Sequence, residues 1–151
     1  MQLRPYAPSD LAELYAIDQS CYEPRIAYSR TELRWYLAQS GAKCLIAESA
    51  GEIAGFILTE QNGSRAHIIT IDVLEPWRRR GVGTALLTEI EAQLAAGGVR
   101  KVELETATTN QAAVAFWQRH GYRTVGVRKG YYLGRLDAYS MRKSLPIAKE
   151  N

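Results

Sequence analysis

The sequence predicts a single domain of the α/β (α+β) class, with a mixed, mainly antiparallel sheet and helices on both faces. Its 151 residues are the size of one domain, and no Pro-, Gly- or Ser-rich linker divides residues 1–151. Hydrophobic residues make up 46% and charged residues 23% of the chain, a composition typical of a globular protein with a substantial core. Runs with the two-residue period of strands alternate with runs of helical periodicity, and this order indicates a mixed sheet.

The first elements are one strand and two helices. Gln2–Arg4 is expected to be a short strand, and Ser9 is expected to cap a helix that continues through about Cys21. The second helix is better marked, because Ser29 and Glu32 stand at the spacing of a capping box before an apolar run.

Three β-rich runs follow, and we expect them to pair as antiparallel neighbours. KCLIAES and IAGFILTE are separated by Ala50, Gly51 and Glu52, a short turn with the glycine that hairpins favour. The third strand is expected over His67–Leu74, before Pro76.

The second half of the chain begins with the best-defined helix. Leu86, Ile90 and Leu94 repeat every four residues, and Gly97 and Gly98 supply a left-handed stop. VELET then alternates apolar and acidic residues as a half-buried strand does. The closing elements are a short helix and two strands, expected at Gln111–His120, Tyr122–Arg128 and Asp137–Arg142.

Composition argues against several classes of function. The net charge of +3 is too small for a surface that binds a polyanion throughout, so a nucleic-acid partner is not expected. No apolar run could cross a bilayer and the start resembles no signal peptide, so we expect a cytoplasmic protein without a membrane partner. Cys21 and Cys44 have neither disulfide nor metal-ligand spacing, so both are expected to be reduced thiols and no metal is expected.

Three consecutive arginines precede a glycine-containing helix start in EPWRRRGVGTALL. The amides that open the helix should point outward at the positive end of the helix dipole, and the glycines let an anion approach the backbone. Arginine can add bidentate bonds, which favours a pyrophosphate over a lone carboxylate, although a solvated basic helix start is the plain alternative. The predicted anion-binding residues are Arg78, Arg79, Arg80, Gly81, Val82, Gly83 and Thr84.

Two familiar nucleotide-binding motifs fit this turn poorly. A P-loop needs Gly-Lys-Ser or Gly-Lys-Thr, whereas Thr84 and Ala85 follow the second glycine here. A dinucleotide fingerprint needs a third glycine where this chain has Leu86. That fingerprint stays open as an alternative, because Glu103 and Glu105 fall near the spacing of its ribose-binding acid.

The turn resembles the Arg/Gln-x-x-Gly-x-Gly/Ala motif of the GNAT superfamily of N-acetyltransferases, through Arg78, Gly81 and Gly83. IDVLEPWRRRGVG is similar to the family's fourth strand and pyrophosphate loop, and LETATTNQAAVAFWQRHGY to its next strand and helix. The resemblance covers nearly the whole chain. It implies a GNAT-like fold and an N-acetyltransferase that binds acetyl-coenzyme A (acetyl-CoA) as co-substrate, without a metal.

The resemblance also implies roles for single residues. The backbone at Ile71 and Val73 would bind pantetheine and the thioester carbonyl, and Asn110 would contact the cofactor, cap the next helix, or both. Glu105 aligns with a glutamate that acts as a base through water in N-terminal acetyltransferases. Glu103 and Glu105 share one face of an alternating strand, however, so simple solvation is the alternative for both.

The chain departs from the family at Trp117, where most relatives place a tyrosine as general acid beside the cofactor sulfur. Trp117 stays assigned to the cofactor site, but its indole N–H donates a hydrogen bond without giving up the proton. Either another group protonates the thiolate or no acid is needed, because a free thiol has a pKa of about 8.5. Glu105 and Tyr132 are the candidate catalytic residues.

The tail GYYLGRLDAYSMRK resembles the last two strands of N-terminal amine acetyltransferases, including the ribosomal-protein alanine type. Paired tyrosines contact the substrate peptide there, and Tyr131 and Tyr132 fill that position; Tyr28 lines the same groove by family layout. Half-buried packing in a hairpin is the alternative for the pair. An α-amino group, with a pKa of about 8, is easier to use at neutral pH than lysine at about 10.4.

The predicted function is therefore direct transfer of acetyl from acetyl-CoA to a primary amine, foremost a protein N-terminal α-amine. The alternatives are a small-molecule amine acetyltransferase, a non-catalytic acyl-CoA binder, which Trp117 favours, and a nucleic-acid binder, which the low net charge disfavours. His67 and His120 are not expected to be catalytic, since they open a strand and end a helix. The sequence leaves open whether the protein is a monomer or a homodimer.

Overall fold

The structure, a computed structural model, describes residues 1–147. The strands are β1 (Gln2–Pro5), β2 (Ala42–Ser49), β3 (Glu52–Asn62), β4 (Arg65–Val73), β5 (Lys101–Ala107), β6 (Arg123–Tyr132) and β7 (Leu136–Ser144). The helices are α1 (Leu11–Cys21), α2 (Arg30–Leu37), α3 (Val82–Ala96) and α4 (Gln111–Arg119), with short 3-10 turns at Pro8–Asp10 and Glu75–Trp77.

The strands form one seven-stranded sheet in the order β1-β2-β3-β4-β5-β7-β6. All neighbouring strands run antiparallel except β4 and β5, which are parallel. The predicted fold class and element order are confirmed, and so is the antiparallel pairing of β2, β3 and β4. Within residues 1–147, no helix is both long and apolar enough to cross a membrane.

Helices cover both faces of the sheet, each over its own apolar core. On one face α1 and α2 pack on β2 and β3 through Leu14, Ile17, Leu33, Ile46, Phe56 and Leu58. On the other face α3 and α4 pack on the sheet through Leu86, Ile90, Leu94, Trp117, Ile57 and Ile68. Burying one such side chain fully stabilises the fold by about 1.5–3 kcal/mol, so the two cores hold the sheet rigid beneath the site.

The start of α2 confirms the predicted capping box. Ser29 Oγ accepts a hydrogen bond from the Glu32 amide at 3.1 Å, and the Glu32 carboxylate accepts one from the Ser29 amide at 3.0 Å. The two bonds satisfy amides that the helix leaves without acceptors, which fixes where the chain turns into α2.

The start of α1 differs from the prediction, because Ser9 does not cap it. Ser9 lies within the 3-10 turn, and the helix begins at Leu11. The Asp10 carboxylate accepts a hydrogen bond from the Ala7 amide at 2.8 Å and pairs with Arg4 at 2.9 Å. These bonds tighten the chain into the 3-10 turn before the helix starts.

Several other boundaries move by a few residues. The β2–β3 turn consists of Ala50 and Gly51, with φ of 53° and 81°, so the expected third turn residue already belongs to β3. At the end of α3 the left-handed residue is Gly98 alone. The two C-terminal strands are longer than expected, since their antiparallel pairing continues toward the hairpin that joins them.

Candidate active site between the parted strands

A gap opens in the sheet where β4 and β5 part. The two strands are parallel partners only from Arg65–His67 to Lys101–Glu103. Beyond that, β4 continues to Val73 beside β3, while β5 continues to Ala107 beside β7. The gap leads into a cavity of about 440 Å³, lined by both strands, α4, the segment between α1 and α2, and the end of β6. Backbone groups at this edge are free of a neighbouring strand and can bind a ligand.

The edge of β4 that faces the gap is held by side chains from the segment after α1. The Tyr22 hydroxyl donates to the Ile71 carbonyl at 2.7 Å, and the Tyr28 hydroxyl donates to the Ile69 carbonyl at 3.3 Å. The Val73 carbonyl accepts from Arg78 Nε at 2.8 Å. Since the N–H and C=O of one residue project to the same side of an antiparallel strand, the amides of Ile71 and Val73 face the gap too.

The arginine-glycine turn lies at the end of β4 and exposes backbone donors. The first backbone bond of α3 runs from Ala85 to Gly81, so the amides of residues 81–84 have no acceptor within the helix. Arg79 and Gly81 have φ of 62° and 80°, the left-handed conformation that lets successive amides line a concave surface. A Cβ on Gly83 would lie 3.2 Å from Phe116 Cε1, so glycine allows α4 to pack closely here.

All three arginines of the turn are exposed. Arg78 bonds the end of β4, and the Arg80 guanidinium lies 5.4 Å from the centre of the Trp77 ring. On the other side of the turn, Thr84 Oγ1 lies 3.1 Å from His120 Nε2. Positive side chains thus flank a helix start with free donors, an arrangement that can hold a diphosphate.

Glu105 brings a charged carboxylate into the cavity wall. Its Oε1 lies 2.7 Å from His67 Nε2 and accepts a hydrogen bond from the Tyr131 hydroxyl at 3.0 Å. Burial alone would raise the pKa of this carboxyl, but the hydrogen bond and charge of His67, together with Tyr131, lower it below its usual range. Glu105 is therefore ionised at neutral pH and can accept a proton.

Glu103, two residues earlier on β5, lies in a different setting. Its Oε1 is 2.9 Å from Arg65 and 3.4 Å from Arg142, so two guanidinium groups neutralise it. It does not line the main cavity, whereas Glu105 does. The structure thus separates two glutamates that share one face of the strand, and it is Glu105, the one that the resemblance singled out, that lines the cavity.

Sequence reasoning missed the contact of His67 with Glu105. The histidine side chain is 43% exposed and the glutamate side chain 11%, so the pair connects the cavity wall to solvent. The register of β4 on β5 places His67 opposite Glu103, and Glu105 follows two residues later where the strands part; no local pattern in the sequence sets that register. His120 lies at the end of α4, as expected, beside Thr84 rather than in the cavity.

Three tyrosines form one wall of the cavity, namely Tyr28, Tyr131 and Tyr132. Consecutive residues of a regular strand point to opposite faces, but the register of β6 shifts between Arg128 and Tyr132, and both tyrosines line the cavity. Burial and the charge of Glu105 raise the pKa of Tyr132 to about 12. Burial also raises the pKa of Tyr28. Both phenols keep their protons at neutral pH and can donate hydrogen bonds.

Asn110 and Trp117 lie on the α4 side of the cavity. The Asn110 side chain caps α4, since its Oδ1 accepts from the Ala113 amide at 3.1 Å. Trp117 is 5% exposed and packs edge-on against Phe116 and Tyr122, with ring centres 5.1 and 5.2 Å away. The indole is therefore a fixed part of the wall. Among residues 1–147, no cluster of three His, Cys, Asp or Glu side chains could hold a metal ion.

Comparison with known proteins gives one consistent group. Residues 11–122 match the model of the acetyltransferase (GNAT) family. The [ribosomal protein bS18]-alanine N-acetyltransferase of Escherichia coli K12 is 30% identical over 145 residues, covering 93% of both chains. An N-alpha-acetyltransferase of Sulfolobus acidocaldarius is 28% identical over 157 residues, covering 95% of this chain and 92% of the relative.

Solved structures show the same likeness. The crystal structure of the ribosomal-protein-S18-alanine N-acetyltransferase from Escherichia coli superposes with a TM-score of 0.88 at 26% identity, covering 99% of this chain and 97% of that one. Chaetomium thermophilum Naa20, solved with a bisubstrate analogue, gives a TM-score of 0.81 at 29% identity, covering 96% and 87%.

Proposed function

This chain belongs to the acetyltransferase (GNAT) family, whose members use acetyl-CoA as co-substrate, and we propose that it acetylates the N-terminal α-amine of proteins. The relatives named as acetyltransferases of protein N-termini align over more than nine-tenths of both chains. The observation that carries the proposal is the Glu105 carboxylate, charged and set in the cavity wall beside Tyr131.

Acetyl-CoA fits the groups along β4 and the start of α3. The free amides of residues 81–84 and the flanking arginines would hold its diphosphate, because they offer several donors and positive charge at one turn. The amides of Ile71 and Val73 would bind the pantetheine arm and the thioester carbonyl. Asn110 and Trp117 would line the opposite side of the cofactor. Bound there, acetyl-CoA supplies an acetyl group activated as a thioester.

The acceptor amine would enter beside the three tyrosines. An α-ammonium group with a pKa of about 8 must lose a proton before it attacks. Glu105 would accept that proton, directly or through one water, and would release it to solvent at the exposed edge of the pair beside His67. The Tyr131 hydroxyl donates its proton to Glu105, so its oxygen would accept a hydrogen bond from a backbone N–H of the peptide, and Tyr28 and Tyr132 would line the groove beside it.

The departing thiolate needs little help from the protein. Trp117 cannot supply a proton, but a thiol with a pKa of about 8.5 leaves without full protonation. Tyr132, whose pKa is raised to about 12, keeps a hydroxyl proton in the cavity. It would stabilise the developing negative charge by hydrogen bonding rather than by full proton transfer.

A matched peptide panel tests the proposal. Purified protein is incubated with acetyl-CoA and one peptide in three forms: with a free N-terminus, with a blocked N-terminus and an internal lysine, and with both groups free. A set of small primary amines is tested in parallel. Thiol release and fragment-ion mass spectrometry should locate acetylation on the α-nitrogen alone. Acetylation confined to lysine, or to small amines, would overturn the assignment of the acceptor.

A further inference from the structure

Two carboxyl groups lie buried against each other behind the cavity. Asp18 on α1 is 0% exposed and Asp72 on β4 is 1% exposed, and the two carboxyl groups lie against each other where α1 packs on β4. One oxygen of each has an ordinary donor. The Tyr28 amide donates to Asp18 Oδ2 at 2.7 Å, and the Thr70 hydroxyl donates to Asp72 Oδ1.

The other oxygen of each carboxyl group has no N–H or O–H donor in the described part of the chain. Asp18 Oδ1 and Asp72 Oδ2 are buried without a hydrogen-bond partner among residues 1–147. Two ionised carboxylates in contact would repel each other, and each would be costly to bury. A single proton between them turns this repulsion into an O–H···O bond, as in other carboxyl pairs that share a site.

The surroundings do not neutralise a second charge. Within residues 1–147, no Lys, Arg or His side chain forms an ion pair with either aspartate. Arg78 acts on Asp72 only by its more distant charge, and Glu32 adds a like charge near Asp18. Burial, followed by the contact with Asp18, raises the pKa of Asp72 well above its usual range.

The other ionisable neighbours stay neutral. Burial raises the pKa of Cys21 and that of Tyr22, both at the end of α1. Both side chains therefore stay uncharged at neutral pH and add no anion beside the carboxyl pair. The carboxyl pair keeps its proton without a competing group beside it.

We propose that Asp18 and Asp72 share one proton and act as a positioning pair, fixing the segment between α1 and α2 against the edge of β4 that faces the cavity. The end of α1 and the segment after it are attached to β4 by the carboxyl pair, by the Cys21 thiol on the Val73 carbonyl, and by the hydroxyls of Tyr22 and Tyr28 on β4 carbonyls. Asp18 also holds the Tyr28 amide. The pair thus positions Tyr28, a wall of the acceptor groove, and this role rests on the proposed function.

Unfolding as a function of pH tests the shared proton without any activity. In Asp72→Asn the amide can donate to Asp18 and its carbonyl can accept from Thr70, so the geometry is kept and no proton is needed. An unfolded aspartate has a pKa of about 3.9, whereas the native pair holds its proton to higher pH. The wild-type folding constant should therefore fall about tenfold per pH unit relative to the variant, from about pH 4 up to the raised pKa.

Asp137→Asn is the control, because the Gly130 amide and Lys129 lower the pKa of Asp137. The stability that Asp137 contributes is lost as the pH falls. The stability of wild type relative to Asp137→Asn should therefore rise with pH, the opposite of the trend expected relative to Asp72→Asn. If the folding constants of wild type and Asp72→Asn change in parallel with pH, the proposal is overturned. Should Asp72→Asn fail to fold, infrared spectroscopy of the wild type provides the test. The shared proton predicts the C=O absorption of a protonated carboxyl group at neutral pH. A spectrum without that absorption would refute the shared proton.

Kinetics tests the positioning role separately. The α-amine of the peptide has a pKa of about 8 and titrates with either protein, so the wild type is compared with Asp72→Asn at each pH. As alkaline pH removes the shared proton, the ratio of the wild-type peptide KM to that of the variant should rise. Asp72→Asn has no shared proton to lose, so its own peptide KM should change only as the α-amine titrates. Identical peptide KM profiles in the two proteins would refute positioning of the groove. An inactive wild type would refute the proposed function instead, leaving the unfolding result intact.

Discussion

Replacement of Glu105 by glutamine removes the proposed base while preserving its surroundings. The glutamine oxygen can still accept from Tyr131 and His67, which lie 3.0 and 2.7 Å from Glu105 Oε1, so the cavity wall should keep its shape. The negative charge that takes the proton from the amine is lost. A positioned general base contributes about 10²–10⁴-fold, so kcat should fall by that factor, equivalent to about 3–5 kcal/mol of activation free energy.

The assay is steady-state thiol release with the peptide that carries a free N-terminus. Glu103→Gln is the matched control, because it makes the same chemical change on the same strand but at a residue paired with Arg65 and Arg142 outside the main cavity. It should keep kcat, and acetyl-CoA should keep its KM in both variants. A Glu105→Gln enzyme with kcat comparable to that of Glu103→Gln would refute the assignment of the base.

Three further substitutions address the rest of the site. Gly83→Ala should melt below Gly126→Ala, because its Cβ meets Phe116 at 3.2 Å whereas a Cβ on Gly126 meets no described atom within 4 Å; overpacking costs about 1–3 kcal/mol and the helix propensity of alanine offsets about 1 kcal/mol of it, so equal melting temperatures would refute the clash. Trp117→Tyr should leave kcat within about threefold if the thiolate needs no acid, whereas a tenfold gain would show that protonation limits the reaction. His67→Ala removes the hydrogen bond and charge that lower the pKa of Glu105, so the acid limb of the pH–rate profile should move to higher pH; an unmoved limb would exclude a role for the pair.

Local features of the fold could be predicted because their causes lie within a few residues of each other. The capping box of Ser29 and Glu32, the four-residue repeat of α3 and the glycines of the turns act through neighbouring backbone groups. The same reasoning failed at Ser9, where the pairing of Asp10 with Arg4 redirects the chain. That pairing involves a strand and a turn whose approach the local pattern does not reveal.

The candidate site was predictable only in part, since long-range pairing assembles the rest of it. The resemblance pointed to the arginine-glycine turn and to Glu105, because each lies within a short sequence motif. The contact of His67 with Glu105 depends on the register of two parallel strands. The contact of Asp18 with Asp72 depends on how α1 lies on the sheet, and 53 residues separate the two in the chain. Neither contact leaves a periodic signal.

Calorimetric titration tests the central claim, that the amides of residues 81–84 and the arginines beside them hold the diphosphate of acetyl-CoA. Two ligands are compared on the wild-type protein: acetyl-CoA, and an acetylated pantetheine that has the same thioester arm but no phosphate. Binding of acetyl-CoA should release heat and be far tighter, because only this ligand carries the diphosphate to the free amides and the arginines. Equal affinity for the two ligands, or no heat with acetyl-CoA, would contradict the account.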